Sequence, residues 1–345
     1  MGNIQTEDIE VGVVGLGLMG TSFIASLLMA GHRVKAVAPL PEDMRAAPDR
    51  IKNHLIACER AGLLCKPVGS YLEQLVIAED YAVLKSCHLV VECVIEIAAI
   101  KRSIYEKIER VVSRDAVIAS NTSAIPISEL QKDLDNPARF LGIHWAEPSY
   151  FTRFIEITNG AQTAIHYSEW VYALAHFWGK EPTLLRKDVR GFITNRLMYA
   201  AYREGLSIVS KGEATLEDVD KAFRYDAGSW MTLMGVFRRM DFLGLKDFFE
   251  IFRRTFPQLC NDEDVPPLMQ RMVEIHARGV QNLSGLYEYS EEEAAKWTEA
   301  FALFNVEIFR LAALYPATLA AEAADTAQTA DAAQATNVAR TTNNF

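Results

Sequence analysis

The 345-residue sequence contains no run of about 18 consecutive apolar residues, the length that a membrane-spanning helix needs. Its N-terminus lacks the basic and then apolar segments of a secretory signal. Its five cysteines are an odd number without CxxC spacing, which argues against a disulfide framework and against a zinc site. These absences predict a cytoplasmic protein that uses neither a membrane nor a metal.

Basic residues are scarce relative to acidic ones. The sequence has 35 Lys and Arg against 45 Asp and Glu, so the formal net charge is −10. A surface of this sign does not attract phosphate backbones, so nucleic acid is not an expected partner. The hydrophobic fraction of 50% is typical of globular proteins, and the length predicts two domains.

The hydrophobic pattern divides the chain into parts. Over residues 1–187, strands alternate with helices, which predicts an α/β Rossmann domain with a doubly wound, mostly parallel sheet. Residues 188–316 carry amphipathic helical patterns and predict an all-helical C-terminal domain for substrate binding and dimerisation. Residues 317–345 are rich in Ala and Thr and poor in large apolar side chains, so we expect a disordered tail.

Two helix starts in the second domain carry capping signals. Asp188 precedes a helical segment and is expected to cap it, because an Asp side chain accepts hydrogen bonds from free N–H groups. Thr215 and Asp218 have the spacing of a capping box, although Glu or Gln is the better reciprocal partner. They predict another helix start at this point.

The strongest single motif follows the apolar strand predicted at 11–14. There the sequence GLGLMG opens a helical segment, and a second strand comes next, as in a βαβ unit that binds a dinucleotide. In such a unit the first glycine makes the tight turn, the second lets the backbone approach a pyrophosphate, and the third allows close helix–strand packing. The cofactor is therefore expected to contact the whole loop: Gly15, Leu16, Gly17, Leu18, Met19 and Gly20.

The second strand ends without the usual acidic residue. Many dinucleotide-binding domains place an acid here to hydrogen-bond to the adenosine ribose, but this chain has Ala38. Glu42 or Asp43 could reach the ribose hydroxyls from the next turn, and no arginine stands where a 2′-phosphate would be recognised. We therefore expect NAD as the cofactor, with NADP left open.

Among the seven histidines, His144 has the most informative position. It ends the strand FLGIHW, at the edge where an open α/β sheet carries its crevice residues. Glu156 lies in the next strand, and a twelve-residue path with a proline turn can bring the two side chains together. A carboxylate fixes the tautomer of an imidazole, which suits a general base that accepts a hydroxyl proton. From the spacing alone, a structural ion pair is the alternative.

Several motifs occur together in one order, and in that order the sequence from Ile9 to Trp297 resembles the L-3-hydroxyacyl-CoA dehydrogenase family. This family includes the hydroxybutyryl-CoA, L-gulonate and carnitine dehydrogenases. The motifs are GLGLMG (15–20), VVECVIE (90–96) followed by Lys101, SNTS (120–123), H-x₁₁-E (144–156), RGFITNR (190–196) and GLYEYS (285–290).

The resemblance implies an NAD-dependent oxidoreductase of fatty acid metabolism, usually a homodimer. It would transfer a hydride between NAD and the 3-hydroxy group of a short-chain 3-hydroxyacyl-CoA, such as 3-hydroxybutyryl-CoA. By resemblance, His144 is the catalytic base and Glu156 its partner, while Ser123 and Asn195 hold the substrate oxygen and the imidazole. The residues expected at the ribose and nicotinamide end of the cofactor are Glu96, Lys101 and Ser123. Without the resemblance, Ser123 would be interpreted as a helix cap and Asn195 as an exposed helix residue.

The sequence departs from the family at positions that contact ligands. Where the family follows its histidine with Asn-Pro, this chain has Glu147 and Pro148, so Glu147 is predicted to contact a cationic or polyhydroxylated substrate. The helix that grips CoA phosphates in the family carries only Lys52 and Arg60 as cations here. These departures favour a second hypothesis, a dehydrogenase of a free polar 3-hydroxy acid that resembles carnitine or gulonate.

Two further hypotheses compete with these. Hydroxyisobutyrate-type dehydrogenases also carry GLGxMG, but they use a catalytic lysine at the start of the second domain. The corresponding segment here, LLRKDVRGFITNR with Lys187, fits the hydroxyacyl pattern better. The last hypothesis is a protein that binds a dinucleotide without catalysis, which the changes at Ala38 and Glu147 favour and the complete set of predicted catalytic residues opposes.

Overall fold

The structure, a computed structural model, describes residues 8–314, so the tail predicted at 317–345 lies outside the described residues. The chain divides into two compact units between Tyr199 and Ala200. Within residues 8–314, no helix is both long and apolar enough to span a membrane.

The first unit contains an eight-stranded sheet in the order β3-β2-β1-β4-β5-β6-β7-β8. Neighbouring strands are parallel except for β6 and β7, which pair antiparallel, so the predicted doubly wound, mostly parallel sheet is confirmed. The strands are β1 (Val11–Val14), β2 (Val34–Val37), β3 (Leu75–Ala78), β4 (Leu89–Glu92), β5 (Val117–Ser120), β6 (Phe140–Trp145), β7 (Phe154–Asn159) and β8 (Glu181–Leu185).

Helices connect these strands. They are α1 (Leu18–Met29), α2 (Pro41–Arg60), α3 (Val68–Leu72), α4 (Ala98–Glu109), α5 (Ile127–Leu130) and α6 (Ile165–Phe177). In α4, the buried side chains Ile104, Tyr105 and Ile108 recur at helical spacing and belong to the same core cluster as Val90 and Ile118 of the sheet. The amphipathic pattern thus fixes which face of α4 covers the strands.

The described part of the second unit is helical, with isolated β-bridges at 279–288. Its helices begin with α7 (Thr194–Ser210), which crosses the boundary between the units, and continue with α8 (Leu216–Ala222), α9 (Gly228–Leu243), α10 (Leu245–Thr255), α11 (Pro267–Glu274) and α12 (Glu291–Leu314). The capping box of Thr215 and Asp218 starts α8 as predicted.

Few side chains of the second unit are buried. Between residues 200 and 314, excluding the side chains of 312 and 313, only Ser207 and Val306 are. Large apolar side chains are instead exposed, among them Phe237 at 78%, Phe242 at 75% and Phe249 at 63%. Exposure of so many large apolar side chains is unusual for a monomeric domain.

Candidate active site

The loop between β1 and α1 has the geometry of a phosphate-binding turn. Gly15 has φ +94°, and a Cβ added there would lie 2.9 Å from the carbonyl oxygen of Cys93. A Cβ on Gly20 would lie 1.9 Å from the carbonyl oxygen of Gly15, whereas a Cβ on Gly17 would meet no atom of the described residues within 4 Å. Within residues 8–314, no side chain caps the N-terminus of α1, and the first turn of this helix has no acidic residue. These residues fit the pyrophosphate of a dinucleotide.

The other residues of this loop differ in exposure. Leu16 is buried, Met19 is half-buried and Leu18 is 65% exposed. The carbonyl oxygen of Leu16 accepts a hydrogen bond from Nη1 of Arg50 at 3.2 Å, and the same nitrogen donates to Oδ1 of Asp43 at 3.2 Å. Asp43 is therefore engaged beside the glycine loop by Arg50.

His144 and Glu156 lie directly opposite each other on the antiparallel strands β6 and β7. Nδ1 of His144 is 2.6 Å from Oε2 of Glu156, and the two side chains are 11% and 1% exposed. The antiparallel register thus brings together the two residues that the sequence places twelve positions apart. A contact this short is typical of a charge-assisted hydrogen bond, and it leaves Nε2 as the ring nitrogen available to a ligand.

The second carboxylate oxygen of Glu156 binds backbone. Oε1 accepts hydrogen bonds from the N–H groups of Ile193 at 2.7 Å and Thr194 at 3.2 Å, where α7 begins. Burial alone would raise the pKa of Glu156, but the hydrogen bonds from His144 and from these two N–H groups lower it. Glu156 is therefore ionised at neutral pH and holds the imidazole and the start of α7 together.

The expectation that Asp188 caps this helix is wrong. Oδ1 of Asp188 accepts from the N–H of Ile127 at 3.0 Å and Oδ2 from that of Ser128 at 2.6 Å, at the start of α5. The reason is that Glu156 already takes the free N–H groups of α7 from the neighbouring strand. Sequence adjacency suggested the wrong helix, because capping side chains from distant strands compete for the same N–H groups.

Glu96 holds the loop that carries Ser123. Its Oε1 accepts the N–H groups of Ser123 and Ala124, both at 3.0 Å, and a hydrogen bond from the hydroxyl of Thr122. Its Oε2 lies 3.2 Å from Nζ of Lys101. Burial alone would raise the pKa of Glu96, but the Thr122 hydroxyl and the Lys101 ammonium lower it. The ionised carboxylate fixes the backbone of this loop.

Ser123 and Asn195 meet at the surface of the same loop. Nδ2 of Asn195 donates to the carbonyl oxygen of Ser123 at 3.1 Å. Ser123 is exposed, and Pro126 rather than Ser123 occupies the N-cap of the following helix α5. The hydroxyl of Ser123 therefore does not act as the helix cap that its sequence position alone suggests.

Lys101 lies inside a buried network whose centre, Glu92, sequence reasoning missed. Nζ of Lys101 is 2.8 Å from Oε1 of Glu92, and both residues are fully buried. Oε2 of Glu92 accepts hydrogen bonds from the hydroxyls of Tyr105 at 2.6 Å and Ser120 at 2.8 Å. An acidic residue inside the apolar stretch LVVEC was the available signal, because a buried carboxylate requires partners.

Glu147 follows the end of β6 and comes close to Ser22 of α1. Its Oε2 is buried and has no hydrogen-bond partner within residues 8–314. Burial raises the pKa of Glu147, and a hydrogen bond from the Ser22 hydroxyl opposes this rise. Ser22 also accepts the N–H of Ser149 at 2.9 Å, which ties α1 to the turn after β6. An unsatisfied carboxyl oxygen in this position can receive a ligand donor or cation.

Phe192 is a second residue that sequence reasoning missed. It is 1% exposed, and its ring centroid lies 5.3 Å from that of His144. Gly191 and Phe192 have φ values of +80° and +49°, so two successive left-handed residues turn the chain back onto the imidazole. A bulky residue in this conformation is uncommon and is often found at functional sites. The only sequence signal was the glycine before it.

The fold and these contacts define a class of protein. Because β1, β4, β5 and β6 are parallel, their carboxyl ends bring the glycine loop, Glu96, Ser123 and His144 to one edge of the sheet. A dinucleotide loop at the same edge as an imidazole paired with a carboxylate is the arrangement of a nucleotide-dependent oxidoreductase.

Comparison with known families identifies the class more closely. Residues 10–189 match the NAD-binding domain of 3-hydroxyacyl-CoA dehydrogenase, and residues 191–289 match the C-terminal domain of the same enzyme. The chain therefore belongs to the 3-hydroxyacyl-CoA dehydrogenase family. It is an NAD-dependent dehydrogenase, as the sequence motifs predicted.

Similar proteins differ in their named substrates. A 5-formyl-3-hydroxy-2-methylpyridine 4-carboxylate 5-dehydrogenase from Mesorhizobium japonicum is 28% identical over 82% of this chain and 92% of its own length. A crystal structure of an enzyme of that activity, described as an NAD⁺-dependent dismutase, has a TM-score of 0.83 and is 27% identical, over 88% of this chain and 97% of that one. A probable 3-hydroxybutyryl-CoA dehydrogenase from Deinococcus radiodurans is 28% identical, over 81% of this chain and 100% of its own length. An L-carnitine dehydrogenase from Bacillus cereus is 31% identical, over 77% of this chain and 83% of its own length.

Proposed function

We propose that the chain oxidises the 3-hydroxy group of a short-chain 3-hydroxyacyl-CoA, similar to 3-hydroxybutyryl-CoA, with His144 as the catalytic base. The observation that carries this proposal is the 2.6 Å contact between Nδ1 of His144 and Oε2 of Glu156. The ionised Glu156 keeps the proton on Nδ1, so Nε2 has a free lone pair for the substrate hydroxyl. NAD, when bound, accepts the hydride from the carbon that carries this hydroxyl.

The proton and the developing charge are assigned to different residues. As the hydride leaves, Nε2 of His144 takes the hydroxyl proton and the alcohol becomes a carbonyl, so the imidazole becomes an imidazolium that Glu156 stabilises. The exposed hydroxyl of Ser123 donates a hydrogen bond to the substrate oxygen. Asn195 keeps Ser123 in place through its 3.1 Å hydrogen bond to the Ser123 carbonyl. We assign its second amide hydrogen to the same substrate oxygen as a further donor.

The cofactor end is assigned to Glu96 and Lys101. Glu96 holds the backbone N–H groups of Ser123 and Ala124, and Lys101 holds Glu96 from its buried side. Glu96 is 38% exposed at its side chain, whereas Lys101 is 1% exposed. Glu96 is therefore the residue of this pair that meets the cofactor, and Lys101 acts through it as a positioning residue.

The CoA assignment rests on the family and on two cations. Lys52 and Arg60 are exposed on α2, where they are available to the phosphates of CoA. A test is the oxidation of NADH at 340 nm with acetoacetyl-CoA as substrate. His144→Asn should abolish turnover, while His166→Asn, at an exposed histidine of α6, should retain it. Retained turnover in His144→Asn, or its loss in Lys187→Ala, would point to a different base.

A free polar hydroxy acid without CoA is a second candidate, and Glu147 favours it. The unpartnered Oε2 of Glu147 can receive a cationic group such as a quaternary ammonium. In this case carnitine should be oxidised, and Glu147→Gln should raise the KM for carnitine about tenfold or more, since pairing with a charged group contributes on this scale. The KM for free hydroxybutyrate, which lacks the cation, should stay unchanged. If the wild type and Glu147→Gln turn over acetoacetyl-CoA at equal rates, Glu147 takes no part in the reaction of the CoA substrate.

We also propose that the chain acts as a homodimer. The support is the exposure of Phe237, Phe242 and Phe249 in a unit whose described residues bury so few side chains. In a two-fold homodimer, the same apolar surface of each subunit would be buried against the other copy of the chain. Light scattering after size exclusion should give twice the mass of 38.6 kDa, and Phe242→Glu should lower it to that of a monomer.

A further inference from the structure

A small cavity lies at the carboxyl ends of β2 and β3, beside the position where the usual acidic residue is missing. Its volume is about 200 Å³, enough for part of a nucleoside. It is lined by Ala38, Pro39, Pro41, Glu79, Tyr81 and Lys107. Because β2 is the neighbour of β1, this is the side of the glycine loop on which a Rossmann domain holds the adenosine of its cofactor.

The register of β2 and β3 places Glu79 beside Ala38. The strands are parallel with Val37 opposite Ala78, and the N–H of Ala38 donates to the carbonyl oxygen of Ala78 at 3.0 Å. Glu79 therefore follows β3 at the level where Ala38 follows β2. Neighbouring strands lie about 4.8 Å apart. The carboxylate of Glu79 therefore starts one strand further toward the edge of the sheet than an acid at the end of β2 would. The longer side chain of Glu, compared with Asp, reduces that displacement.

The other acids near this edge are engaged or lie elsewhere. Asp43 is bound by Arg50, and Asp80 accepts the N–H of Ala82 at 2.9 Å. Glu42 is exposed on the first turn of α2 and is not among the residues that line the cavity. Within residues 8–314, Glu79 is therefore the carboxylate that lines this cavity.

Among the described residues that line this cavity, Lys107 carries the positive charge, and an ammonium group attracts phosphate. Nζ of Lys107 lies 5.5 Å from the centroid of the Tyr81 ring, so the ammonium is placed over that ring. A 2′-phosphate is best recognised by the planar, bidentate guanidinium of arginine, and the described residues that line this cavity include no arginine. The hydroxyl of Tyr81 is buried without a hydrogen-bond partner in the described residues, so one polar atom here is available to a nucleoside.

We propose that Glu79 replaces the missing acid of β2 as the residue that distinguishes NAD from NADP. Its carboxylate accepts hydrogen bonds from the 2′- and 3′-hydroxyls of the adenosine ribose and repels a 2′-phosphate. The residue that selects NAD thus follows the edge strand β3 and not β2. The proposal depends on dinucleotide binding and is independent of the roles of His144 and Glu147.

Binding of two small nucleotides tests this without any hydride transfer. Isothermal titration of the full chain with 5′-AMP and with adenosine 2′,5′-bisphosphate compares ligands that differ only in the 2′-phosphate. The wild type should bind 5′-AMP about tenfold or more tightly than the bisphosphate, and Glu79→Ala should lose that preference, because a hydrogen bond to a charged group contributes on this scale. The melting temperature of the ligand-free variant should equal that of the wild type, since Glu79 is exposed.

Matched variants make the outcome decisive. Glu73→Gln removes an exposed carboxylate that precedes the amino end of β3, whereas Glu79 follows the carboxyl end, and this variant should change neither affinity. The proposal is overturned if Glu79→Ala keeps the wild-type preference, if Glu42→Gln loses it instead, or if no adenine nucleotide binds. It is also overturned if the wild type prefers the bisphosphate and Lys107→Met abolishes that preference. Failure of the His144 chemistry would leave all these affinities unchanged, so the two proposals fail separately.

Discussion

Replacing Glu156 by Gln separates the charge of this side chain from its shape. The change is nearly isosteric, at a residue that is 1% exposed. The amide oxygen of Gln can still accept the N–H groups of Ile193 and Thr194, which turns the amide NH₂ group toward Nδ1 of His144. Nδ1 must then accept a hydrogen bond, so the imidazole proton moves to Nε2. The nitrogen that should receive the substrate proton is thereby blocked.

The expected loss of activity is large. In the serine-protease triad, the wrong imidazole tautomer costs about 10⁴ in kcat, and we expect a loss of about 10³ to 10⁴ for Glu156→Gln. The free energy of unfolding should fall by roughly 1.5–3 kcal/mol at pH 7, because a hydrogen bond to a charged group contributes that much. KM should change little, because Glu156 acts through His144 and does not contact the substrate in the proposed mechanism.

The effect on stability should depend on pH with a defined sign. The folded state lowers the pKa of Glu156 below its unfolded value, so the ionised carboxylate stabilises the fold above the unfolded pKa. This contribution is lost as the pH falls through the folded pKa. The difference in unfolding free energy between the wild type and Glu156→Gln should therefore shrink as the pH falls below the unfolded pKa of about 4.3.

Steady-state NADH kinetics and urea unfolding measure both effects. Glu169→Gln, at an exposed carboxylate of α6, makes the same chemical change away from the site and should match the wild type in both assays. If Glu156→Gln kept kcat within tenfold of the wild type, or if its loss of stability were the same at pH 3.5 and pH 7, the tautomer argument would be wrong.

Three buried charged groups should each change the unfolding free energy in a defined direction. Lys101→Met leaves the fully buried Glu92 without its cation and should cost roughly 3–5 kcal/mol in urea unfolding, whereas adding Glu92→Gln should restore part of the loss. Burial lowers the pKa of Lys180 to about 7, so the unfolding free energy of the wild type should rise from pH 7 toward the unfolded pKa, and Lys180→Met should remove this rise. Burial raises the pKa of Glu147, so Glu147→Gln should unfold at higher urea concentration than the wild type at pH 7, with the difference absent at pH 3.5.

The parts of the site that could be predicted are those fixed by local strand geometry. The pairing of His144 with Glu156 follows from two adjacent antiparallel strands, in which the connection of residues 146–153 and the alternation of side chains determine which residues face each other. The glycine loop is likewise local, since the steric limits at Gly15 and Gly20 arise within one turn and its neighbouring strand. The sequence contains the information needed for both.

Other parts depend on contacts that the sequence does not encode locally. The sequence pattern does not reveal the edge strands β3 and β8, because β3 has the exposed Val76 and β8 carries Pro182 near its start. Asp188 caps α5 and Glu156 caps α7. Which helix N-terminus each carboxylate reaches is decided only after the sheet has formed. The position of Phe192 depends on a backbone conformation that no periodicity reveals.

The acidic residues near the carboxyl ends of the parallel strands fall into two groups, which differ in whether the chain itself occupies their carboxylate oxygens. Both oxygens of Glu92, Glu96 and Glu156 are occupied by N–H, hydroxyl or ammonium donors of the chain itself, so these carboxylates hold the site in shape. Glu147 has a buried oxygen without a partner in residues 8–314, and Glu79 lines a cavity from an exposed position. A carboxylate that the chain does not satisfy is free to bind a ligand. Glu92 and Glu156 should therefore govern stability and tautomer, and Glu96 should hold the Ser123 loop beside the cofactor. Glu147 and Glu79 should govern the choice of substrate and cofactor.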